Sequence, residues 1–247
     1  MCLVICCLNN NDVSGNPNFG TVLKLAGPKT NPVLNQVASL ATGQPADGQL
    51  PVPNLAVVRD GANICVFLAE TTPPPTGSNA ISAFVYPGGA MVGVYVDQNA
   101  GNSSARIAMV ATGGVLYADY AGFNIGSWQM QPGCKLTLLQ TTNTFGAGSP
   151  WQLAATPDGK TLVLSSSGDG CCVESFSIGA NGALTERGPL HVNGYPIGVD
   201  ITADSKYAIF AATPFWGFIY LTTQNIMVLE VLYVWGLYQL IRLLFSR

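Results

Sequence analysis

The chain has 247 residues, a net charge of −3, 48% apolar side chains and only 9% charged ones, with 28 glycines and 16 prolines. Its ten Lys and Arg form no basic stripe, which argues against a nucleic-acid partner, and an apolar share this high at so small a net charge argues against disorder. Low charge, many turn formers and many β-branched residues point to an all-β chain of numerous short strands.

The first ten residues, MCLVICCLNN, are apolar but lack a basic n-region and a small-residue cleavage site, so a strand describes them better than a signal peptide. Residues 2–12, 20–27 and 33–43 read as three successive strands. Residues 53–70 form an apolar strand, an Asp60-Gly61 turn and a second apolar strand. The loop TTPPPTGSN at 71–79 reads as a stiff extended connector. Residues 79–84 follow as a strand, and 105–120 repeat the hairpin around Gly113-Gly114. Residues 124–130 form a third strand and GCKLTLLQ, from Gly133, a fourth. The hairpin returns at 148–166 around Asp158-Gly159, its third strand lies at 172–178, and NGALTERG supplies the fourth. Asn181-Gly182 before that strand is a type I′ signal, because both residues tolerate positive φ. Residues 196–212 start the plan again around Asp204-Ser205.

The repeat is periodic. Asp60, Gly113, Asp158 and Asp204 are spaced 53, 45 and 46 residues apart, and both Trp128 to Phe176 and Leu136 to Leu184 span 48. A fixed period in this range marks a repeat architecture. Each unit is a four-stranded antiparallel meander that is too thin to shield both faces. Such sheets stack around an axis as a β-propeller. The units fall at about 50–103, 104–147 and 148–195. A partial unit at 1–49 supplies strands two to four, and another at 196–214 supplies strands one and two. Together 1–214 give about four blades, if the last first strand completes the first unit, or else part of a larger ring.

Residues 215–247 break the pattern with an apolar tail. From 226 to 245 it is nearly continuous, interrupted by Glu230, Gln239 and Arg242. As a helix it would be long enough to cross a bilayer, with Arg242 and Arg247 at the cytoplasmic end. The stop in mid-unit favours a truncation or frame change that replaces strands three and four. A helix packed on an open sheet face is a third option.

The residues that could carry chemistry are few. His191 is the one histidine and could act as a general base. A strand-end histidine in a loop is the simpler reading. Asp169, in the loop SSSGDGCC at 165–172, could hold Ca²⁺ with serine hydroxyls, but the several carboxylates of a tight site are missing. The aspartates of the turns are explained by turn chemistry, and Phe84, Trp128, Trp151 and Phe176 by packing between blades. Of the seven cysteines, Cys6-Cys7 and Cys171-Cys172 are adjacent and Cys2 stands near the start. Cys65 and Cys134 could pair in a secreted protein; the sequence leaves that open. No C-x-x-C accompanies a histidine, which argues against a structural zinc site, and no cofactor is expected.

The stretch SPWQLAATPDGKTLVLSSSGDGCCVESFSIGANGALT resembles a blade of the lactonase-type seven-bladed propellers and their YVTN-repeat relatives. Ser149-Pro150, the Pro157-Asp158-Gly159-Lys160 turn, Phe176 and Gly182-Ala183-Leu184-Thr185 carry the likeness, which covers roughly residues 50–212. The resemblance implies histidines and arginines lining a central channel, with His-Pro-His at blade starts. The corresponding positions here are Ser149-Pro150-Trp151 and Tyr195-Pro196-Ile197, so no catalytic residue carries over. The expectation is a non-enzymatic scaffold or binding module for a protein or carbohydrate, extracytoplasmic in full-length relatives. A 6-phosphogluconolactonase-like sugar-lactone hydrolase is the alternative. A truncated product without independent function is the third reading.

Overall fold

The computed structural model describes residues 2–8, 19–26, 33–41, 55–71, 79–88, 90–96, 107–120, 124–145, 149–168, 171–192, 195–213, 217–222 and 229–230. Among them there are strands and turns but no helix. Nineteen strands build five consecutive antiparallel sheets. The first holds β1 (Cys2–Leu8), β2 (Phe19–Ala26) and β3 (Val33–Ala41). The second holds β4 (Leu55–Asp60), β5 (Asn63–Thr71), β6 (Asn79–Tyr86) and β7 (Ala90–Val96). The third is β8 (Ile107–Thr112), β9 (Val115–Tyr120), β10 (Asn124–Gln131) and β11 (Lys135–Asn143). The fourth is β12 (Ser149–Ala155), β13 (Thr161–Gly168), β14 (Cys171–Ile178) and β15 (Leu184–Leu190). The fifth is β16 (Tyr195–Ile201), β17 (Tyr207–Thr213), β18 (Gly217–Thr222) and β19 (Leu229–Glu230).

Every sheet is a meander in chain order, and the first strands β4, β8, β12 and β16 pack on one another in succession. The second to fifth sheets therefore converge at their first strands, which is the arrangement of propeller blades. Alternation explains the packing: successive side chains of a strand point to opposite faces, so each sheet serves two interfaces. Leu116 and Ala118 of β9 join Cys65, Phe67, Ile81 and Ala83 of the second sheet. Val115 and Tyr117 of the same strand join Leu153, Leu162, Leu164 and Phe176 of the fourth. Val163, Val173, Val199, Ala208 and Phe210 fill the next interface. Phe84, Trp128 and Phe176 sit beside β-bulges in their third strands and are buried. Packing accounts for all three.

One outcome decides between the sequence-based expectations and one differs from them. Of the two ring readings, the closing clasp is not formed: β16 pairs with β17 and opens a sheet of its own, which leaves the reading as part of a larger ring. The tail also does not stop the repeat at Thr213. Residues 217–222 pair with β17, and Leu229–Glu230 pair with β18, as third and fourth strands. GFIYLT is rich in β-branched and aromatic residues that suit a strand, and pairing satisfies the free edge of β17. Residues 231–247 lie outside the described residues. No helix among the described residues is long and apolar enough to cross a membrane.

The predicted turns all join first to second strands, yet they take two forms. In the second sheet Gly61 (φ 59°) leads a two-residue turn after Asp60, and in the third Gly113 and Gly114 (φ 57° and 79°) make a type I′ turn. The later corners are wider. Thr156 N–H donates to Thr161 O at 2.9 Å, and Thr202 N–H to Tyr207 O at 2.9 Å. Inside each, the threonine hydroxyl donates to an aspartate oxygen at 2.6 Å, Thr156 to Asp158 and Thr202 to Asp204. The left-handed residue is Gly159 (φ 68°) in one and Ser205 (φ 60°) in the other. The Asn181-Gly182 turn is not type I′: of the pair, Gly182 carries the positive φ, 78°. The loop between Ile178 and Leu184 is long enough that Gly179 N–H reaches Ala183 O, and a single left-handed residue then closes it.

Candidate functional site

Polar groups buried at the interfaces between sheets must find partners. At the seam of the second and third sheets, Cys65 of β5 and Cys134 of the β10–β11 turn are joined by a disulfide, with Cα atoms 5.2 Å apart. Beside it, Gly133 N–H donates to Asp60 Oδ2 at 2.9 Å. The oxygen of Asp60 and both sulfurs lie within 4.8 Å of one another. Cys134 has φ 64°, a left-handed conformation uncommon outside glycine.

The seam of the third and fourth sheets uses the equivalent positions differently. Gly182 stands 48 residues after Cys134 and is also left-handed. A Cβ on it would meet Val115 Cγ2 at 2.6 Å. Tyr117 donates its hydroxyl to Gly182 O at 3.1 Å, and burial pushes its pKa up from 10.0 to about 12. Buried polar residues lie toward the end of the same seam where β9 connects to β10, β11 to β12 and β13 to β14, the loop-bearing end. Asp119, Ser127, Ser166 and Glu174 are all fully buried, and strand alternation and pairing place them on the two faces that meet there. Glu174 accepts from Phe145 N–H at 2.9 Å, whereas Ser127 Oγ and Ser166 Oγ have no hydrogen-bond partner among the described residues. The sequence does not show this seam: burial of Asp119, Ser127 and Glu174 depends on which face the neighbouring sheet covers, and Ser166 lies in the SSSGDGCC stretch that reads as a loop.

The first strands carry little chemistry. Ala56, Ala108, Met109, Leu153 and Val199 are buried between sheets, and Gln152 Oε1 accepts from Val199 N–H at 3.2 Å, bracing β16 against β12. His191 follows the outermost strand β15 and is exposed. The structure does not bring it to the converging first strands. Asp169 lies outside the described residues, as do 72–78 of the proline-rich loop. Asp158 and Asp204 remain turn residues. The threonine hydroxyl and the backbone N–H two residues on, Lys160 for Asp158 and Lys206 for Asp204, hold both carboxyls below their ordinary range. The corners also touch: Asp158 N–H donates to Ser205 Oγ at 3.3 Å across the fourth and fifth sheets. A shallow depression on the third sheet is lined by Asn124, Leu138, Leu139, Gln140, Thr141 and Asn143, away from the axis.

No family model matches the chain, and no curated protein matches it. Solved structures do. A protein from Lactobacillus plantarum superposes with a TM-score of 0.68 at 17% identity, over 93% of this chain and 65% of that one. The periplasmic gluconolactonase PpgL of Pseudomonas aeruginosa gives 0.51 at 15% identity, over 93% and 81%. Hydrazine synthase of Kuenenia stuttgartiensis gives 0.59 at 16% identity, over 87% and 62%. The chain thus spans about two thirds of the length of the first of these. At such identities the likeness is one of fold, and the propeller resemblance read from the blade motif holds at that level.

Proposed function

We propose that the chain is a non-enzymatic propeller module that binds a protein or carbohydrate at its loop-bearing end. The observation that carries this reading is the placement of His191, the chain's one imidazole, exposed beyond the outermost strand rather than at the converging first strands. The first strands supply small apolar packing and the Gln152 brace, which make a rigid frame, and rigid frames with variable loops are a common platform for recognition. The Cys65–Cys134 bond supports maturation in an oxidising compartment, so an extracytoplasmic setting belongs to the proposal.

A second reading, a sugar-lactone hydrolase, draws support from the name of the Pseudomonas protein. It would have to use the buried carboxylates Asp119 and Glu174 to activate water. The test is hydrolysis of gluconolactone and 6-phosphogluconolactone by the purified chain, with His191→Ala and Glu174→Gln beside it. The binding reading expects all three to match the buffer rate. Turnover that either substitution abolishes would replace it with the hydrolase.

A further inference from the structure

We propose that Asp60, Cys65 and Cys134 make a site for a soft divalent metal, Zn²⁺ or Cd²⁺, whenever the disulfide between the two cysteines is opened. The three donor atoms already lie within 4.8 Å of one another, brought together from two sheets and from positions 69 residues apart in sequence. Two thiolates and a carboxylate are three of the four ligands of a tetrahedral zinc site, with metal–sulfur bonds of about 2.3 Å. Both cysteines are buried, 2% and 0% exposed, whereas Asp60 is half-buried at the end of β4, so water can supply the fourth ligand from its side. Gly133 N–H, donating to Asp60 Oδ2, orients the carboxylate as outer-shell donors do in metal sites.

The chemistry balances with a dithiol as reductant. Its thiolate attacks one Sγ, the mixed disulfide closes on the second thiol of the reductant, and Cys65 and Cys134 are left as two thiols while the dithiol becomes a cyclic disulfide. Metal binding then displaces two protons into solvent. The seam between the second and third sheets is therefore tied in either environment, by a sulfur–sulfur bond under oxidising conditions and by the metal under reducing ones. This proposal does not depend on what the loop-bearing end binds.

The test uses the full chain with Cys2, Cys6, Cys7, Cys171 and Cys172 replaced by serine, reduced with dithiothreitol, desalted anaerobically and titrated with Cd²⁺. The expected result is one equivalent bound, seen as a cadmium–thiolate charge-transfer band, with Zn²⁺ competing for the same site. Asp60→Asn keeps both cysteines and should weaken binding at least about tenfold, the lower end of what losing even an outer-shell partner costs. Cys65→Ser should remove the stoichiometric band. Circular dichroism of each reduced sample establishes that the sheets persist. If the five-serine chain does not fold, the difference between the reduced natural chain and its Cys65→Ser variant is read instead. No band in a folded reduced chain, or binding unchanged by Asp60→Asn, would overturn the proposal.

Discussion

The seam between the second and third sheets and the seam between the third and fourth solve one geometric problem with different residues. Each needs a left-handed residue just before its fourth strand, pressed against the second strand of the preceding sheet. At one seam that residue is Cys134, bonded to Cys65. At the other it is Gly182, lying over Val115 and accepting from the Tyr117 hydroxyl. Glycine reaches positive φ without steric cost and leaves room for the valine. Cysteine does not, and the covalent bond offsets its conformational cost. The lesson is that interfaces of one repeat can be closed by close packing or by a bond, with a left-handed residue at the same position of the repeat in both.

The largest expected effect tests the covalent version. Replacing Cys65 and Cys134 by serine frees a chain loop of 69 residues and should cost about 4 kcal/mol in urea unfolding, while added reductant should have no further effect on the variant. Next comes the packed version. Gly182→Ala puts a methyl group 2.6 Å from Val115 Cγ2 at φ 78°, and should cost about 2 kcal/mol in the same assay. Gly133→Ala, at φ 74° but with nothing within 4 Å, should cost less, since only the backbone objects.

Tyr117→Phe is smaller still, about 1 kcal/mol for one buried hydrogen bond. It also carries a pH signature. Because the folded pKa is raised from 10.0 to about 12, the neutral phenol contributes fully below 10.0, and that contribution is lost as the pH climbs toward about 12. The alkaline fall in Tm should therefore be shallower in Tyr117→Phe. The smallest effect belongs to the corners. The carboxyls of Asp158 and Asp204 are held low, so their support is present above 3.8 and lost as the pH falls below it. The Tm gap between the natural chain and Asp158→Asn should close in acid, and Asp204→Asn should behave the same way.

How much of this was legible depends on which residues repeat. Turn chemistry recurs at Asp60, Gly113, Asp158 and Asp204, so periodicity alone located the hairpins of four sheets. The same 48-residue step that links Leu136 to Leu184 also links Cys134 to Gly182, and it marks Cys134 as occupying a glycine position. Spacing between cysteines alone does not carry that signal; it lies in the match of Cys134 to a glycine one repeat later. β18 and β19 were illegible for another reason: GFIYLT sits in an apolar stretch where a strand and a buried helix look alike. Asp119 and Glu174 could not be placed, since burial of a lone carboxylate in a strand depends on which face its neighbour covers.

The central claim is that the second and third sheets lie face to face, so that residues 65 and 134 touch. Non-reducing proteolysis with mass spectrometry of the oxidised chain tests it directly. The account predicts a linked peptide pair joining Cys65 to Cys134. Finding both as free, alkylated thiols, or either one bonded to Cys171 or Cys172, would contradict it.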